Sequence, residues 1–569
     1  MRRIILLSIF FFLSIYFSQA QTSSIDEEAL KHWHHQDFIA TGIYGIGTDK
    51  AYDLLKKKER KPSPVIVAVI DSGIDIDHED LKSNIWINPG EIPNNGIDDN
   101  NNGYIDDTHG WNFIGGKDAD IQYDVSEVTR IVKRFQPLFD SGDYLKDKEM
   151  QNRIPDDYKM YLEAKKVYKK KLIKSKENLA NIQHFERLKI VLLKDCDETA
   201  QQLGDQKLTP EIISSIQEVS RETPLIKTSL QQVLTQNGDK LRNKTIQDIK
   251  QKIQTDFNEF IDQQSKGNQY FYNLHFDPRN IVGDNYEDPN EHYYGNNHVK
   301  NPYDFHGTHV AGIIAAVRNN NIGMNGITDQ VKIMPIRAIP DGDERDKDVA
   351  NAIRYAVDNG AQIINMSFGK SFSPQKSIVD AAVKYARDKG VLIIKAAGNS
   401  SENIDKKKDY PTNKDVQGRL INDLWITVGA STYENNQNLP ASFSNYGRKN
   451  VDLFAPGLAI YSTIPNDTYR LLPGTSMASP MVAGAAAVLW SHYPKLNAAQ
   501  VKNLLLRSAN VVTKLVNLPI DIEETPRKVG QKIKFNQLSK TGGILNLYKT
   551  IQLAEKEYEI LHEKNSSFP

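Results

Sequence analysis

The amino-acid sequence predicts an α/β protein with a doubly wound, mainly parallel sheet and one large helical insertion. Residues 65–70 (VIVAVI) form an apolar run rich in β-branched side chains, which is typical of a parallel strand buried on both faces. Between residues 120 and 267 the chain becomes rich in Lys, Glu, Gln and Asn, with apolar residues at helical spacing, and this predicts the insertion. From Val331 onward, strand-like segments alternate with amphipathic helices. These segments read VKIMPIRAI, VANAIRYAVDNG, AQIINMSFG, IVDAAVKYARDKG, VLIIKAAGN and LWITVGA.

The overall composition is that of an ordinary globular protein, with 39% apolar and 25% charged residues in a chain of 569. The 71 Lys and Arg residues are balanced by 72 Asp and Glu residues. The chain therefore offers no excess charge for nucleic acid or an anionic membrane surface, and we expect no nucleic-acid partner. Cys196 is the only cysteine, so the chain cannot form an intramolecular disulfide.

The first twenty residues, MRRIILLSIFFFLSIYFSQA, have the pattern of a secretory signal peptide. Two arginines precede an apolar run, and the small residues Ser18 and Ala20 occupy the positions that a signal peptidase reads. The run is shorter than the roughly 20 apolar residues of a membrane-spanning helix, although an uncleaved anchor is the alternative. We predict cleavage after Ala20, a secreted or periplasmic protein, and no stable membrane span after cleavage.

A candidate nucleophile lies near the C-terminal end, in the segment GTSMASPMVAGAA, residues 474–486. Ser476 is bracketed by small residues at the predicted start of a helix, where free backbone N–H groups and the positive dipole end can stabilise an oxyanion. Pro480 fits a first helical turn. The alternative is a core helix of small residues in which the serine is structural, so the interpretation depends on partner motifs elsewhere in the chain.

Three further motifs precede this segment in a recognisable order. They are VIVAVIDSGIDIDHEDL from Val65, HGTHVAGIIAA from His306 and IIKAAGNSS from Ile393. Together with GTSMASP they resemble the signatures of the subtilisin-like serine proteases, in which the catalytic residues follow the chain order Asp, His, Ser. The resemblance implies a subtilisin-like fold, with the insertion lying between the Asp and His motifs.

The same resemblance assigns a role to each of the matching positions. Asp71 would orient and stabilise the imidazole, His306 would act as general base and then acid, and Ser476 would be the nucleophile. Asn399 would donate a side-chain hydrogen bond to the oxyanion. His306 and His309 could also be a metal pair, but Gly-Thr stands where a zinc helix would carry the Glu of HExxH.

The resemblance also suggests residues that bind substrate. Ser367, Phe368 and Gly369 are similar to the edge segment that pairs with the substrate backbone. Asp409 precedes a Tyr-Pro pair that borders the specificity pocket in relatives. If its carboxylate reaches the pocket floor, the enzyme should prefer Lys or Arg at P1, the residue before the cleaved bond, unless Lys406 to Lys408 neutralise the charge.

A polar loop at residues 88–107 is a candidate calcium site. Asp98, Asn100, Asn102 and Asp106 alternate along it, with a spacing that resembles the first nine positions of an EF-hand loop. The twelfth position is His109, where that loop has a bidentate Glu. The alternatives are a structural calcium ion and a loop of Asx turns that needs no metal. We expect no organic cofactor.

These observations divide the chain into five predicted parts. They are a signal peptide (1–20), the first part of the catalytic domain (21–119), the helical insertion (120–267), the second part of the catalytic domain (268–551) and a polar tail (552–569).

The sequence predicts an exported serine endopeptidase that acts on protein or peptide substrates through an acyl-enzyme. The alternatives are a catalytically silent protein of the same fold that binds partners through the insertion, and a metallohydrolase.

Overall fold

The computed structural model describes residues 27–217, 223–237, 241, 243–520 and 530–566. The predicted signal peptide lies outside these residues. The described residues divide into two compact units, one within residues 128–276 and the other within residues 27–127 and 277–566. Among the described residues, no helix has both the length and the apolar character needed to cross a membrane.

The described chain from residue 27 to the insertion contributes three short helices and two strands. They are α1 (Glu27–His32), α2 (Phe38–Thr41), α3 (Thr48–Lys57), β1 (Val65–Asp71) and β2 (Trp111–Asn112).

The insertion is helical, as its residue pattern predicts. Its helices are α4 (Glu127–Phe139), α5 (Tyr144–Arg153), α6 (Pro155–Leu203), α7 (Pro210–Ser215), α8 (Thr223–Asn237) and α9 (Ile246–Lys266). The Thr209 side chain caps α7, and Thr245 caps α9 in a reciprocal pair with Asp248. Helices α6 and α9 pack together around a core of their own, because Leu188, Leu192, Ile253, Phe257 and neighbouring apolar residues lie on their facing sides.

After the insertion, strands and helices alternate. These elements are α10 (Phe305–Ala315), β3 (Val331–Arg337), α11 (Asp346–Asp358), β4 (Ile363–Met366), α12 (Lys376–Asp388), β5 (Leu392–Ala396), β6 (Trp425–Ser431), β7 (Leu453–Pro456), β8 (Ile460–Ile464), β9 (Thr468–Leu472), α13 (Thr475–His492), α14 (Ala498–Arg507), β10 (Asn510–Val511), β11 (Leu515–Asn517), β12 (Lys532–Lys534), β13 (Gly543–Ile544) and α15 (Leu547–Ser566). The predicted polar tail is thus helical as far as Ser566, and Ala554 is buried because one face of α15 packs on the core.

A nine-stranded sheet forms the centre of the unit that contains residues 27–127 and 277–566. Its strand order is β10-β13-β7-β6-β5-β4-β1-β3-β2. Its pairs are parallel except for β10 with β13. Strand β1 lies between β3 and β4, and the Cα of Asp71 at its end is paired with that of Arg337. This is the doubly wound, mainly parallel α/β fold that the sequence predicts.

The sheet is covered on both faces because consecutive side chains of a strand point in opposite directions. Val65, Val67 and Val69 pack into the core that holds α10 and α13, whereas Ala68 and Ile70 pack into the core that holds α11 and α12. Helices α10 and α13, which carry the His306 and Ser476 motifs, therefore lie on the same face of the sheet and pack against each other.

Candidate active site

Asp71 and His306 meet where helix α10 begins at the carboxyl end of β1. Gly307 permits this approach. A Cβ atom at that position would lie 2.1 Å from the Gly73 carbonyl oxygen and 3.2 Å from the Asp71 Cβ. Such a distance to backbone oxygen is a steric clash, so only a residue without a side chain brings α10 close enough to the strand end.

The two side chains form a hydrogen bond in which His306 Nδ1 lies 2.7 Å from Asp71 Oδ1. The same oxygen accepts the Ser72 N–H at 2.8 Å. Asp71 is buried, whereas 40% of the His306 side chain is exposed. Burial lowers the pKa of His306, but the Asp71 charge and hydrogen bond raise it, and the resulting pKa lies above the ordinary histidine value. Asp71 thus holds the imidazole through Nδ1, and Nε2 is the nitrogen on the opposite side of the ring.

Ser476 is the second residue of α13 and is largely buried. Its hydroxyl donates to the Ser367 carbonyl oxygen at 3.0 Å, and the Ser367 hydroxyl donates to the Ser476 carbonyl oxygen at 3.0 Å. This reciprocal pair joins the start of α13 to the segment after β4. The arrangement leaves the nucleophile candidate at the carboxyl edge of the sheet, where open α/β sheets place their sites.

The sequence profile of the Subtilase family matches residues 63–537. The chain belongs to the subtilase family. Subtilisin DY from Bacillus licheniformis is 40% identical over 36% of this chain and 70% of its own length. Subtilisin BL from Lederbergia lenta is 38% identical over 36% of this chain and 70% of its own length. The cell wall-associated protease of Bacillus subtilis (strain 168) is 32% identical over 45% of this chain and 27% of its own length. The protein is accordingly a serine-type endopeptidase of the subtilase type.

Asn399, the predicted oxyanion donor, is oriented by Thr475 in this subtilase. Its Oδ1 atom accepts the Thr475 N–H at 2.9 Å and the Thr475 hydroxyl at 2.8 Å. Because a backbone N–H can only donate, the atom that faces it is the carbonyl oxygen, and the amide group of Asn399 points away. The Thr475 hydroxyl also accepts the Gly398 N–H at 3.1 Å. Sequence reasoning missed this threonine, although its position directly before Ser476 was a usable signal.

The three predicted substrate-binding residues after β4 differ in exposure. Ser367 is buried, and its hydroxyl also bonds Ser479 Oγ at 2.8 Å and accepts from Asn365 Nδ2 at 3.0 Å. The side chain of Ser367 therefore supports α13. Phe368 is half-buried, while Gly369 is exposed and offers its backbone to the solvent.

Asp409 forms an ion pair with Lys395. Sequence reasoning did not consider Lys395. The Lys395 ammonium contacts Asp409 Oδ2, and it donates to the Ala396 carbonyl oxygen at 2.9 Å. Burial raises the pKa of Asp409, and the Lys395 charge offsets this only in part. Residues 406–408, the lysines weighed from the sequence as neutralising charges, are exposed. Lys395 thus supplies a positive charge beside the carboxylate on which the expected preference for Lys or Arg at P1 depends, and that preference stays a prediction.

The predicted calcium residues are engaged in turns of their own loop. The Asp98 carboxylate accepts the N–H groups of Asn102 and Gly103 at 3.0 and 2.7 Å. The Asp106 carboxylate accepts from Asn95 and Gly96 at 3.1 and 2.7 Å.

The amide oxygens of Asn100 and Asn102 likewise accept backbone N–H groups, at 3.0 and 2.9 Å. Within the described ranges, no group of three or more His, Cys, Asp or Glu side chains is placed to hold a metal ion. These bonds form the Asx turns of the loop, and because each of these oxygens keeps a further lone pair, the calcium site predicted from the spacing stays a prediction.

Asp304 is a second buried carboxyl group close to the Asp71–His306 pair. Its Oδ1 atom lies 3.6 Å from Arg337 Nε, and a Cβ at Gly73 would lie 2.4 Å from its Oδ2. Burial raises the pKa of Asp304 to about 8, although Arg337 lowers it. The residue precedes α10 directly, and sequence reasoning missed it because nothing in its local pattern indicates burial beside Arg337.

Proposed function

We propose that Asp71, His306 and Ser476 form the catalytic triad of this subtilase and that Asn399 is a donor of its oxyanion hole. The hydrogen bond of 2.7 Å between Asp71 and His306 is the observation that carries the proposal. It joins two distant motifs in the geometry that a general base and its orienting carboxylate need.

In the proposed reaction, Ser476 Oγ attacks the carbonyl carbon of the scissile peptide bond. His306 Nε2 takes the hydroxyl proton and then delivers it to the leaving amine, while Asp71 stabilises the imidazolium. The negative charge on the carbonyl oxygen is stabilised by Asn399 Nδ2 and by the Ser476 N–H at the helix start. Water then attacks the acyl-enzyme, with His306 again as the base. The Ser476 hydroxyl must leave its hydrogen bond to the Ser367 carbonyl oxygen before it can give its proton to His306.

We further propose that the protein is exported and acts in the periplasm or outside the cell. The N-terminal signal pattern supports this location, and one relative is named a cell wall-associated protease. The substrates would be proteins or peptides that the cleft admits in extended form.

Hydrolysis of casein and of short fluorogenic peptides by the purified protein tests the triad. We expect cleavage that falls by at least about 10⁴-fold in Ser476→Ala and in His306→Ala, because the triad acts as a unit. Ser491→Ala is the matched control, since Ser491 is buried at the other end of α13 and donates only within that region. Equal activity of Ser476→Ala and Ser491→Ala would contradict the proposal, and an inert wild-type protein that is folded would favour the silent binding protein.

A further inference from the structure

A run of lysines lies in the first half of α6, within the helical insertion. Residues 159–176 include eight lysines and a single acidic residue, Glu163. The near-zero net charge of the whole chain therefore conceals a strong local excess of positive charge. The proposed triad and oxyanion hole use none of these residues, so the run needs an explanation of its own.

Six residues of this part of α6 form one exposed face of the helix. With 3.6 residues per turn, positions that follow one another at steps of three or four lie on the same side of a helix. The residues with this spacing, all of them exposed, are Lys159, Leu162, Lys166, Lys169, Ile173 and Lys176. We call this set the lysine stripe. At the helical rise per residue it is about 25 Å long.

The helix packs into its own unit through a different face. The buried residues of this part of α6 are Tyr161, Ala164, Tyr168 and Ser175. The Tyr168 hydroxyl also donates to the Tyr272 carbonyl oxygen at 3.0 Å, which ties this buried face to the end of the insertion. In contrast, the side chains of Leu162 and Ile173 remain 47% and 58% exposed. These two apolar residues therefore lie on the outer surface, between the lysines of the stripe.

The lysine stripe combines two features that an anionic lipid surface matches. Lysine ammonium groups are attracted to the negative headgroups of such a surface. Leu162 and Ile173 can enter the boundary between headgroups and acyl chains, while the lysine stems lie along the same boundary with their charged ends in water. Nucleic acid is bound preferentially by Arg and by aromatic side chains that stack on bases, and the stripe contains neither. The composition of the stripe therefore favours lipid over nucleic acid.

We propose that the lysine stripe of α6 binds the surface of a bilayer that contains anionic phospholipid. The binding is peripheral, because the exposed face of the helix lies on the surface while the opposite face stays packed within its unit. The inference goes beyond the proposed peptidase function and does not depend on the triad. It gives the insertion a role of its own, which is to hold the protein at a membrane surface.

Co-sedimentation with lipid vesicles tests the inference. The protein is purified without its predicted signal peptide, because an apolar leader would itself bind lipid. Vesicles of phosphatidylglycerol and phosphatidylcholine in equal parts should bind the protein at least about tenfold more tightly than vesicles of phosphatidylcholine alone. Raising the salt concentration from about 0.05 M to about 0.5 M should release most of the bound protein, because salt screens the lysine charges. Equal binding to the two kinds of vesicle would overturn the inference.

A variant with neutral residues in the stripe locates the binding surface. Its substitutions are Lys159→Gln, Lys166→Gln, Lys169→Gln and Lys176→Gln, and all four positions are exposed. We expect its affinity for the anionic vesicles to fall by about 100-fold or more, because each lysine near such a surface contributes to binding. Wild-type affinity in this variant would overturn the inference.

A matched control makes the same change of net charge in the unit that contains the sheet. Its substitutions, also at exposed positions, are Lys56→Gln, Lys57→Gln, Lys61→Gln and Lys82→Gln. The control should bind the anionic vesicles as the wild type does. An equal loss of binding in the control and in the stripe variant would show an effect of net charge alone, and it would overturn the inference.

The apolar residues of the stripe distinguish a lipid surface from another polyanion. The variant Leu162→Gln/Ile173→Gln should bind the anionic vesicles about tenfold more weakly, because it loses the apolar contacts with the bilayer. Its binding to duplex DNA should equal that of the wild type. Undiminished vesicle binding in this variant would overturn the inference. Tighter binding of duplex DNA than of anionic vesicles to the wild type would identify nucleic acid as the partner and would also overturn it.

The failure of this inference can be told apart from the failure of the proposed function. Sedimentation measures the amount of protein bound to vesicles and needs no peptidase activity. Hydrolysis of a soluble peptide tests the triad and needs no vesicles.

Discussion

At the residue scale, hydrogen bonds from neighbouring residues fix the orientation of two side chains in the candidate site. Asp71 fixes the imidazole of His306 through Nδ1, and Thr475 fixes the amide of Asn399 through Oδ1. In both cases one polar atom of the side chain is held by a hydrogen bond. The other polar atom, His306 Nε2 or Asn399 Nδ2, therefore points in a defined direction. In the proposed mechanism, these hydrogen bonds prepare His306 as the base and Asn399 as the oxyanion donor before substrate arrives.

The raised pKa of His306 predicts the pH dependence of hydrolysis. Only the neutral imidazole can accept the Ser476 proton, so kcat/KM should rise with pH and reach half its maximum above about 6.5, the ordinary histidine value. Asp71→Asn removes the charge that raises the pKa. In this variant the midpoint should move to lower pH, and kcat should fall by about 10⁴-fold.

Stopped assays on one uncharged peptide across pH 5 to 9 measure both effects. An Asp71→Asn midpoint equal to or above that of the wild type would show that Asp71 does not set the pKa of His306.

Thr475 offers a test of how Asn399 is oriented. Thr475→Val keeps the backbone N–H donor but loses the hydroxyl that bonds Asn399 Oδ1 and Gly398 N. We expect kcat to fall by about 10 to 100-fold, less than the effect of removing an oxyanion donor, with KM nearly unchanged. Thr475→Ser restores the hydroxyl and should recover most of the activity. A Thr475→Val enzyme with wild-type kcat would show that the hydroxyl has no positioning role.

At the element scale, the sequence predicted the strands and helices that carry the motifs. The apolar run of β1 and the small residues of α10 and α13 predict these elements because local composition and periodicity determine them. The contacts of Lys395 and Asp304 could not be predicted from the sequence, for the opposite reason. Their roles depend on contacts with Asp409 and Arg337, which are distant in sequence, and a lysine within an apolar strand gives no local sign of its partner.

The loop at residues 88–107 is a second feature whose role the sequence alone could not decide. Its alternating Asp and Asn residues fit a calcium loop and an Asx-turn loop equally well as a sequence, and the backbone hydrogen bonds of Asp98 and Asp106 are compatible with both.

A comparison of melting temperatures tests whether this loop binds calcium. If the loop binds calcium, the increase in Tm produced by calcium over EDTA should be smaller in Asp98→Asn than in the wild type, because the substitution removes a charged oxygen ligand. An equal increase in both proteins would favour the Asx-turn alternative. Asp405→Asn is a control for the general effect of losing a carboxylate that caps backbone N–H groups, here those of Lys449 and Asn450. A calcium-dependent increase that disappears only in Asp98→Asn would establish a metal site in the loop.

At the scale of the whole molecule, ion pairs fix the two chain ends from which the insertion departs. Arg345 binds Asp124 at 2.7 Å and Asp277 at 3.3 Å, which brings the entry and the exit of the insertion together. Glu127 binds Lys370 at 2.6 Å, and Arg279 binds Asp348 at 2.7 Å. These contacts all lie within the unit that contains the sheet.

The contacts predict that the sheet unit tolerates removal of the insertion. A variant in which residues 129–275 are replaced by a short Gly-Ser linker should fold and should hydrolyse small peptides with kcat/KM within about tenfold of the wild type, because long surface insertions cost little loop entropy. The linker variant with the additional substitution Arg345→Ala should have a lower Tm than the linker variant that keeps Arg345. A soluble, folded linker variant with no peptidase activity would show that the insertion completes the site.

The most direct test of the account is covalent labelling of the purified protein with a serine-reactive fluorophosphonate, followed by peptide mass spectrometry. The proposed triad predicts modification of Ser476 alone, and loss of that modification in His306→Ala, because the hydroxyl becomes nucleophilic only beside its base. Labelling of another serine, or equal labelling of Ser476 with and without His306, would contradict the triad.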